Sequence, residues 1–315
     1  MLIASVPVAP GYWVERRFRA MGSTAHLLVG DAHEALVDWA VAEIERLEQS
    51  WSRFRPDSEL VRLGARSGEW VMVSAELFDA LRRARALWEH TAGAFDPTVL
   101  RSLVALGYDQ TFSRALDAPD ECPPRGVAAP GFGAVALDED RCAVRLPPEV
   151  RLDLGGIGKG LAADLVAEGL VQRGAASALV ALGGDIRTAG TVPPGGWRIP
   201  VEDPFDEAET WREVVLGDGA VVTSTTLLRR WRRGGVELHH LVDPLTGMPA
   251  QTGVVAVVAR GPQAWWAEGI AKAALVLGER AAPALLAGSG VTASLFRADR
   301  TTVTIEGSAE PCSAS

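Results

Sequence analysis

The feature that most limits the fold of this chain is a succession of short β-rich runs in its second half, interrupted by one helix. From about residue 196 the runs are WRIPVED, VVLGDGAVVTS, VELHHLVDP, GVVAVVAR, VTASLFRA and TTVTIEG, and the helical stretch is PQAWWAEGIAKAALVLG. Strands that are mostly sequence neighbours, with helices gathered between them, predict an α+β fold rather than a doubly wound parallel sheet.

The rest of the chain supplies elements of both kinds. A strand is predicted at 25–29, and the helix after it has apolar residues at helical spacing, namely Leu36, Ala40, Ile44, Leu47 and Trp51. A second helix is predicted to begin at the N-cap Ser74. The stretch 111–150, rich in Pro, Gly and acidic residues, predicts a surface excursion. After it, VRLDLGGIGKGLAADLVAEGL predicts strand, glycine turn and helix, and SALVALGGDIRTAG predicts two strands joined by glycines.

Length and composition suit one large domain, since the chain has 315 residues of which 48% are hydrophobic. We expect an N-terminal extension at 1–17 and a tail at 308–315. Between them we expect a single domain at 18–307, built from two closely packed halves at 18–150 and 151–307.

The charge and the cysteines narrow the classes of function. A formal net charge of -9 argues against binding to nucleic acid or to an anionic membrane surface. No apolar run reaches the length of a membrane span, so no membrane insertion is expected. The N-terminal sequence lacks the pattern of a signal peptide, which predicts a cytoplasmic protein. The three cysteines, Cys122, Cys142 and Cys312, show no CxxC spacing and predict neither a disulfide framework nor a structural zinc site.

Two adjacent histidines open the string HHLVDPLTGMPA at 239–250. On a strand their side chains point to opposite faces, so His239 and His240 are not expected to share a metal ion. Taken alone, the string fits a turn punctuated by Pro244 and Gly247 at least as well as a catalytic loop.

The glycine turn DLGGIGKG at 153–160 matches neither a Walker A loop nor a dinucleotide fingerprint. Glycines at a helix N-terminus beside a lysine nevertheless suit an anion, so a phosphate site and a tight structural turn are both open. The cluster LLRRWRRGG at 227–235 is either a solvated face or part of one phosphate pocket.

The order of these strings is more specific than any one of them. FRAMGST, WSRF, DSEL, GAFDPTV, LDLGGIGKG, LGGDIRTAG, VVTST, HHLVDPLTG and AEGIAKAALVLG follow one another from about Phe18 to Gly278. In this order they resemble the FAD:protein FMN transferase (ApbE) family. The resemblance implies an α+β, ApbE-like (T-fold-like) fold with mixed sheets and helices around a flavin cleft. It also implies FAD as a substrate and Mg²⁺ as a possible cofactor.

The resemblance further assigns site residues by motif. The residues that it places against FAD are Met21, Phe54, Ala94, Phe95, Asp96, Asp153, Lys159 and Leu241. Of the two histidines it favours His240, which would face the pyrophosphate or assist proton transfer, in a loop fixed by Asp243 and Thr246. Together with Lys272, His240 and Asp243 are the candidate catalytic residues. The candidate metal ligands are the backbone carbonyl of Gly156 and the carboxylate of Glu268.

One position departs from the family. Where the family has Asp-x-x-x-Thr on a helix as a metal-binding pair, this chain has Glu268 and Lys272. A lysine ammonium cannot coordinate Mg²⁺. Three interpretations follow: the ammonium takes over the electrostatic role of the metal, which we favour; magnesium binds through the phosphates of FAD and water; or catalysis is lost. An ordinary surface ion pair, worth about 0.3–0.5 kcal/mol, is disfavoured because the neighbouring residues are strongly apolar.

The implied reaction moves FMN from FAD to a Ser or Thr hydroxyl in a short motif of an acceptor flavoprotein and releases AMP. Two alternatives are a flavin-binding protein without catalysis and a pyrophosphatase that splits FAD to FMN and AMP. Only transfer would attach FMN covalently to an acceptor protein, which would then stay fluorescent after denaturation.

Overall fold

The computed structural model describes residues 11–109 and 125–307. Cys122, Cys312 and the tail predicted at 308–315 lie outside these residues. Cys142 is a free thiol. Of the helices within the described ranges, none is both long and apolar enough to cross a membrane.

Fifteen strands are present in the described residues. They are β1 (Trp13–Ala20), β2 (Ser23–Gly30), β3 (Val71–Met72), β4 (Ala136–Asp138), β5 (Ala143–Arg145), β6 (Ser177–Leu182), β7 (Asp185–Gly190), β8 (Trp197–Asp203), β9 (Asp206–Leu216), β10 (Gly219–Thr225), β11 (Arg230–Arg233), β12 (Val236–His239), β13 (Val254–Gly261), β14 (Thr292–Arg297) and β15 (Thr302–Ile305). Eight of them form one sheet in the order β1-β2-β6-β7-β10-β13-β14-β15, and every neighbouring pair in it is antiparallel. This arrangement confirms the predicted α+β class.

The same part of the chain contains six α-helices. They are α1 (Glu34–Trp51), α2 (Glu59–Ala65), α3 (Ala75–His90), α4 (Leu100–Ala105), α5 (Gly158–Gln172) and α6 (Ala264–Leu286). The apolar stripe of α1 is largely as predicted: Ala40, Ile44, Leu47 and Trp51 are buried, whereas Val37 rather than Leu36 completes the buried face. The predicted cap of α3 is also confirmed, because the Ser74 hydroxyl accepts the N–H of Leu77.

Helices α5 and α6 pack side by side against one face of the main sheet and carry its large core. Their backbones approach closely at Gly160, where a Cβ would lie 2.6 Å from the carbonyl oxygen of Ala264. The hairpin of β8 and β9 covers the opposite face around the fully buried Trp197. The hairpin of β11 and β12 packs instead against α4, in a third cluster that includes Tyr108 and Trp231. The glycine turn before α5 and the start of α6 therefore come together at one end of the helical layer.

Three sequence-based expectations need correction. Residues 151–154 do not form a strand. The N–H of Asp153 donates to the carbonyl of Pro97, which lies in a loop and not on a neighbouring strand. Within 111–150, the described part is not a surface excursion: β4 and β5 pair there, and Phe132 and Val144 are fully buried. Finally, residues 13–17 of the expected extension lie in β1 and pair with β2.

Candidate active site

A cleft opens where the glycine turn, the loop after α3, the turn after β12 and the side of α6 meet. Its volume is about 120 Å³. The sequence-predicted residues that line it are Phe54, Ala94, Phe95, Asp96, Asp153, Gly156, His240, Leu241 and Lys272. These residues come from both predicted halves of the chain. The cavity is smaller than the roughly 300–1,000 Å³ of typical small-molecule sites.

Asp96 anchors the loop after α3. Its Oδ1 accepts the N–H and the hydroxyl of Thr98, at 2.8 and 2.6 Å, and its Oδ2 accepts the indole N–H of Trp88 at 3.2 Å. Burial raises the pKa of Asp96 although these three donors favour its charged form. The carboxyl group therefore holds the loop in shape and places Phe95 against the glycine turn.

The glycine turn begins with Asp153, which ties it to that loop. Its N–H donates to the carbonyl of Pro97 at 2.8 Å, and its Oδ1 accepts the N–H of Gly155 at 2.7 Å. Gly156 follows, and a Cβ at this position would lie 2.8 Å from the ring of Phe95. Only glycine lets the turn pass this close to the aromatic side chain.

Arg53, Tyr108 and Arg229 also line the cleft and were not among the predicted site residues. The side chain of Arg53 packs over two neighbouring aromatic rings, with its guanidinium 4.0 Å from the centroid of Phe54 and 4.6 Å from that of Tyr108. Its Nε pairs with Oδ2 of Asp153 at 2.9 Å. The motif WSRF contained Arg53 and the string LLRRWRRGG contained Arg229, whereas no motif in the sequence pointed to Tyr108. The sequence LLRRWRRGG left two interpretations open, a solvated face or part of a phosphate pocket. The position of Arg229 at the cleft favours the phosphate pocket.

The two histidines separate as predicted for neighbours at a strand end. His239 is buried, and its Nε2 lies 3.2 Å from the carbonyl oxygen of Ala250. His240 lines the cleft, and its Nδ1 is buried without a hydrogen-bond partner among the residues that the structure describes. Burial lowers the pKa of His240 well below its usual value, and the nearby Arg229 and Lys272 lower it further. The imidazole is therefore neutral at neutral pH.

Behind the cleft lies a buried cluster of two lysines and two carboxylates, called here the lysine cluster: Lys159, Asp185, Glu268 and Lys272. Lys159 pairs with Asp185 and, at 3.2 Å, with Oε1 of Glu268. Lys272 lies 2.7 Å from the same Oε1. Oε2 of Glu268 accepts the N–H of Gly160 at 2.8 Å. Despite complete burial, the two lysines and this N–H lower the pKa of Glu268 to about 2.

The donor set does not fit a divalent cation. Oxygen ligands are what Mg²⁺ requires, and both oxygens of Glu268 are already engaged by N–H groups. Lys272 offers three donors and no acceptor. In residues 11–109 and 125–307, moreover, no group of three or more His, Cys, Asp or Glu side chains is placed to hold a metal. We therefore assign no step of the reaction to a metal ion.

Four predicted site residues do not line the cavity: Met21, Lys159, Asp243 and Glu268. Met21 lies in the tight turn between β1 and β2, where its N–H donates to Glu48 at 2.8 Å. Asp243 holds the turn after His240 by accepting the N–H of Leu245 and the hydroxyl of Thr246. For these residues, direct roles in ligand binding or catalysis stay predictions.

Comparison with known proteins identifies the family of this chain. The model of the ApbE family matches residues 21–296. The FAD:protein FMN transferase of Treponema pallidum is 32% identical over 274 residues, which cover 81% of this chain and 75% of the relative. That of Vibrio cholerae is 30% identical over 239 residues, which cover 75% and 71%. The crystal structure of the ApbE protein of Thermotoga maritima superposes with a TM-score of 0.81 at 26% identity, over 94% of this chain and 97% of that one. The chain belongs to the ApbE family.

Proposed function

We propose that this protein is an FAD:protein FMN transferase, which moves the FMN part of FAD to an acceptor flavoprotein. The observation that carries the proposal is the imidazole of His240, whose Nδ1 has no partner among the described residues, in a cleft that also holds Lys272 and Arg229. A base and two cations in one cleft are what phosphoryl transfer needs, since this reaction depends on positioning and on neutralised charge.

The cleft has parts suited to each half of the substrate. Phe54, Phe95 and Leu241 offer apolar surface for the isoalloxazine ring. Lys272 and Arg229, which both line the cleft, offer positive charge for the pyrophosphate. Phe54 is partly exposed, so this side of the cleft has room to open for the ring.

In the proposed step, a Ser or Thr hydroxyl oxygen of the acceptor attacks the phosphorus on the FMN side of FAD. A new P–O bond forms to the acceptor, and the bond from that phosphorus to the bridging oxygen breaks. AMP leaves with the bridging oxygen. The hydroxyl proton passes to the neutral imidazole of His240. A cytoplasmic site for the reaction stays a prediction from the sequence, as does any requirement for magnesium.

The test is an incubation of the purified protein with FAD and a desalted protein extract of its source organism. We expect release of AMP together with a protein band that stays fluorescent after denaturation, and a phosphoester-linked FMN on Ser or Thr in its mass spectrum. His240→Ala is expected to slow both by about 10²–10⁴-fold. The matched control is His239→Gln, which changes the neighbouring histidine outside the cleft.

Each other outcome has a definite meaning. AMP release without a labelled protein would replace transfer by hydrolysis of FAD. FAD binding with neither product would mean a flavin-binding protein. An unaltered rate in His240→Ala would remove this histidine from the reaction.

A further inference from the structure

We infer that the ammonium group of Lys272, held by Glu268, supplies the fixed positive charge that faces the pyrophosphate of FAD, in place of a divalent cation. This inference rests on the proposed function, because it concerns the same cleft. Of the three interpretations of the pair Glu268 and Lys272, it selects the one in which the ammonium group takes over the electrostatic role of the metal.

The position of Lys272 is the first argument. Its Nζ lies 2.7 Å from Oε1 of Glu268, and its Cδ would be 3.6 Å from a Cβ built on Gly156. Glu268 and Gly156 are the two residues that the family resemblance assigns as metal ligands. The lysine side chain thus runs beside both of them and also lines the cleft.

The engagement of Glu268 is the second argument. Its side chain is fully buried, and its two oxygens face Lys272, Lys159 and the N–H of Gly160. The side chain of Lys272 is only 15% exposed, so this pair is not a solvated surface ion pair. The carboxylate holds the ammonium group in place at the wall of the cleft, which makes Glu268 a positioning residue.

The charge balance is the third argument. Within the lysine cluster, Lys159 and Lys272 formally balance Asp185 and Glu268. A divalent cation added there would be repelled by two ammonium groups, and both oxygens of Glu268 already face N–H groups. An anionic pyrophosphate approaching from the cleft would instead meet Lys272 and Arg229 as attractive charges. Fixed charges of this kind need no reorganisation when the ligand arrives.

The test measures the affinity for FAD by quenching of flavin fluorescence, with Mg²⁺ and again with EDTA. We expect the two dissociation constants of the unaltered protein to agree within about twofold. Lys272→Met is expected to weaken binding in both solutions by about 10- to 100-fold, the range for loss of one hydrogen bond to a charged group. Lys272→Arg, which keeps the charge, is expected to retain most of the affinity.

A double variant tests the same inference in the opposite direction, by putting the metal-binding pair of the family back into this chain. Glu268→Asp/Lys272→Thr restores the residue pair of the family, and its affinity for FAD is expected to increase at least tenfold on addition of Mg²⁺. Thermal unfolding of each variant checks that the fold is kept.

Three results would overturn the inference. They are a tenfold or greater loss of affinity of the unaltered protein in EDTA, full affinity in Lys272→Met, and a double variant that binds FAD tightly in EDTA. In all of these, binding of FAD itself persists and the proposed function stands. Absence of FAD binding by the unaltered protein in both solutions would instead contradict the proposed function.

Discussion

Two charge clusters, each built around a buried carboxylate, lie on helix α5 and strand β7 of this protein, and they behave in opposite ways. The lysine cluster joins the first turn of α5, the start of β7 and the second and third turns of α6. The second, called here the arginine cluster, consists of Arg187 on β7, Asp164 on α5, and Asp218 and Glu168 near them. Oxygens of Asp164 accept the first two N–H groups of α6, from Ala264 and Trp265, both at 2.9 Å.

The difference lies in the number of cations that face the buried carboxylate, which is two at Glu268 and one at Asp164. In the lysine cluster two ammonium groups face two carboxylates, and the pKa of Glu268 is lowered to about 2. In the arginine cluster one guanidinium faces three carboxylates, and burial raises the pKa of Asp164 to about 7 against the pull of Arg187 and two N–H groups. The first cluster therefore fixes charge at the cleft, whereas the second mainly caps the helix that carries Glu268 and Lys272.

The largest expected effect comes from breaking the lysine cluster. Glu268→Ala leaves Lys159 and Lys272 without a shared carboxylate and Gly160 without an acceptor, in a buried site. We expect a loss of about 3–5 kcal/mol in the free energy of unfolding, measured by urea denaturation. The matched change in the arginine cluster is Glu168→Ala, whose half-exposed side chain lies 3.6 Å from Arg187. It is expected to cost less than about 1 kcal/mol. Equal losses would mean that the two clusters do not differ as described.

The next effect is a pH dependence of stability that arises at Asp164. Because its pKa is about 7 in the folded protein and about 4 in an unfolded chain, the folded state binds the extra proton between these values. The contribution of Asp164 to stability is therefore fully present below about pH 4 and decreases as the pH rises through 7. Between pH 5 and 8 we expect the unaltered protein to lose about 2.5 kcal/mol relative to Asp164→Asn. Parallel stability curves of the two proteins would contradict the raised pKa.

The smallest effect separates two adjacent arginines at the edge of the cleft. Arg229 lines the cavity, whereas Arg230 pairs with Glu237 at 2.6 Å on the surface hairpin of β11 and β12. Arg229→Ala is expected to weaken FAD binding about tenfold, and Arg230→Ala to leave it unchanged within about twofold. Calorimetric titration with FAD measures both. An equal loss in the two variants would point to a general electrostatic effect of the hairpin.

The sequence predicts the periodic and capped elements of this fold well. The buried face of α1 and the Ser74 cap of α3 are local patterns, and local patterns are readable without the rest of the chain. Residues 151–154 look like a strand because their side chains alternate, yet their backbone bonds to a distant loop. Pairing of that kind depends on tertiary structure and leaves no periodic signal.

The same reasoning explains the partial prediction of the cleft. Motif order predicted His240, Phe95 and Lys272 in one cleft, and they line one. Arg53 was missed because its importance comes from Asp153 and Tyr108, which are far from it in the chain. Lys159 was predicted to contact the ligand, but partners on β7 and α6 surround its ammonium group. A motif alone does not show whether its lysine or arginine faces a cavity. Carboxylates elsewhere in the chain decide this, because they pair with some of the cations.

The three donors around Glu268 also limit how this protein can change through evolution. Replacing Lys272 alone leaves the buried carboxylate with fewer cations, and replacing Glu268 alone leaves two buried ammonium groups without it. A lineage that exchanges this pair, one substitution at a time, must pass through a less stable ancestor. The two positions are therefore expected to vary together among descendants, and each residue makes the other difficult to lose.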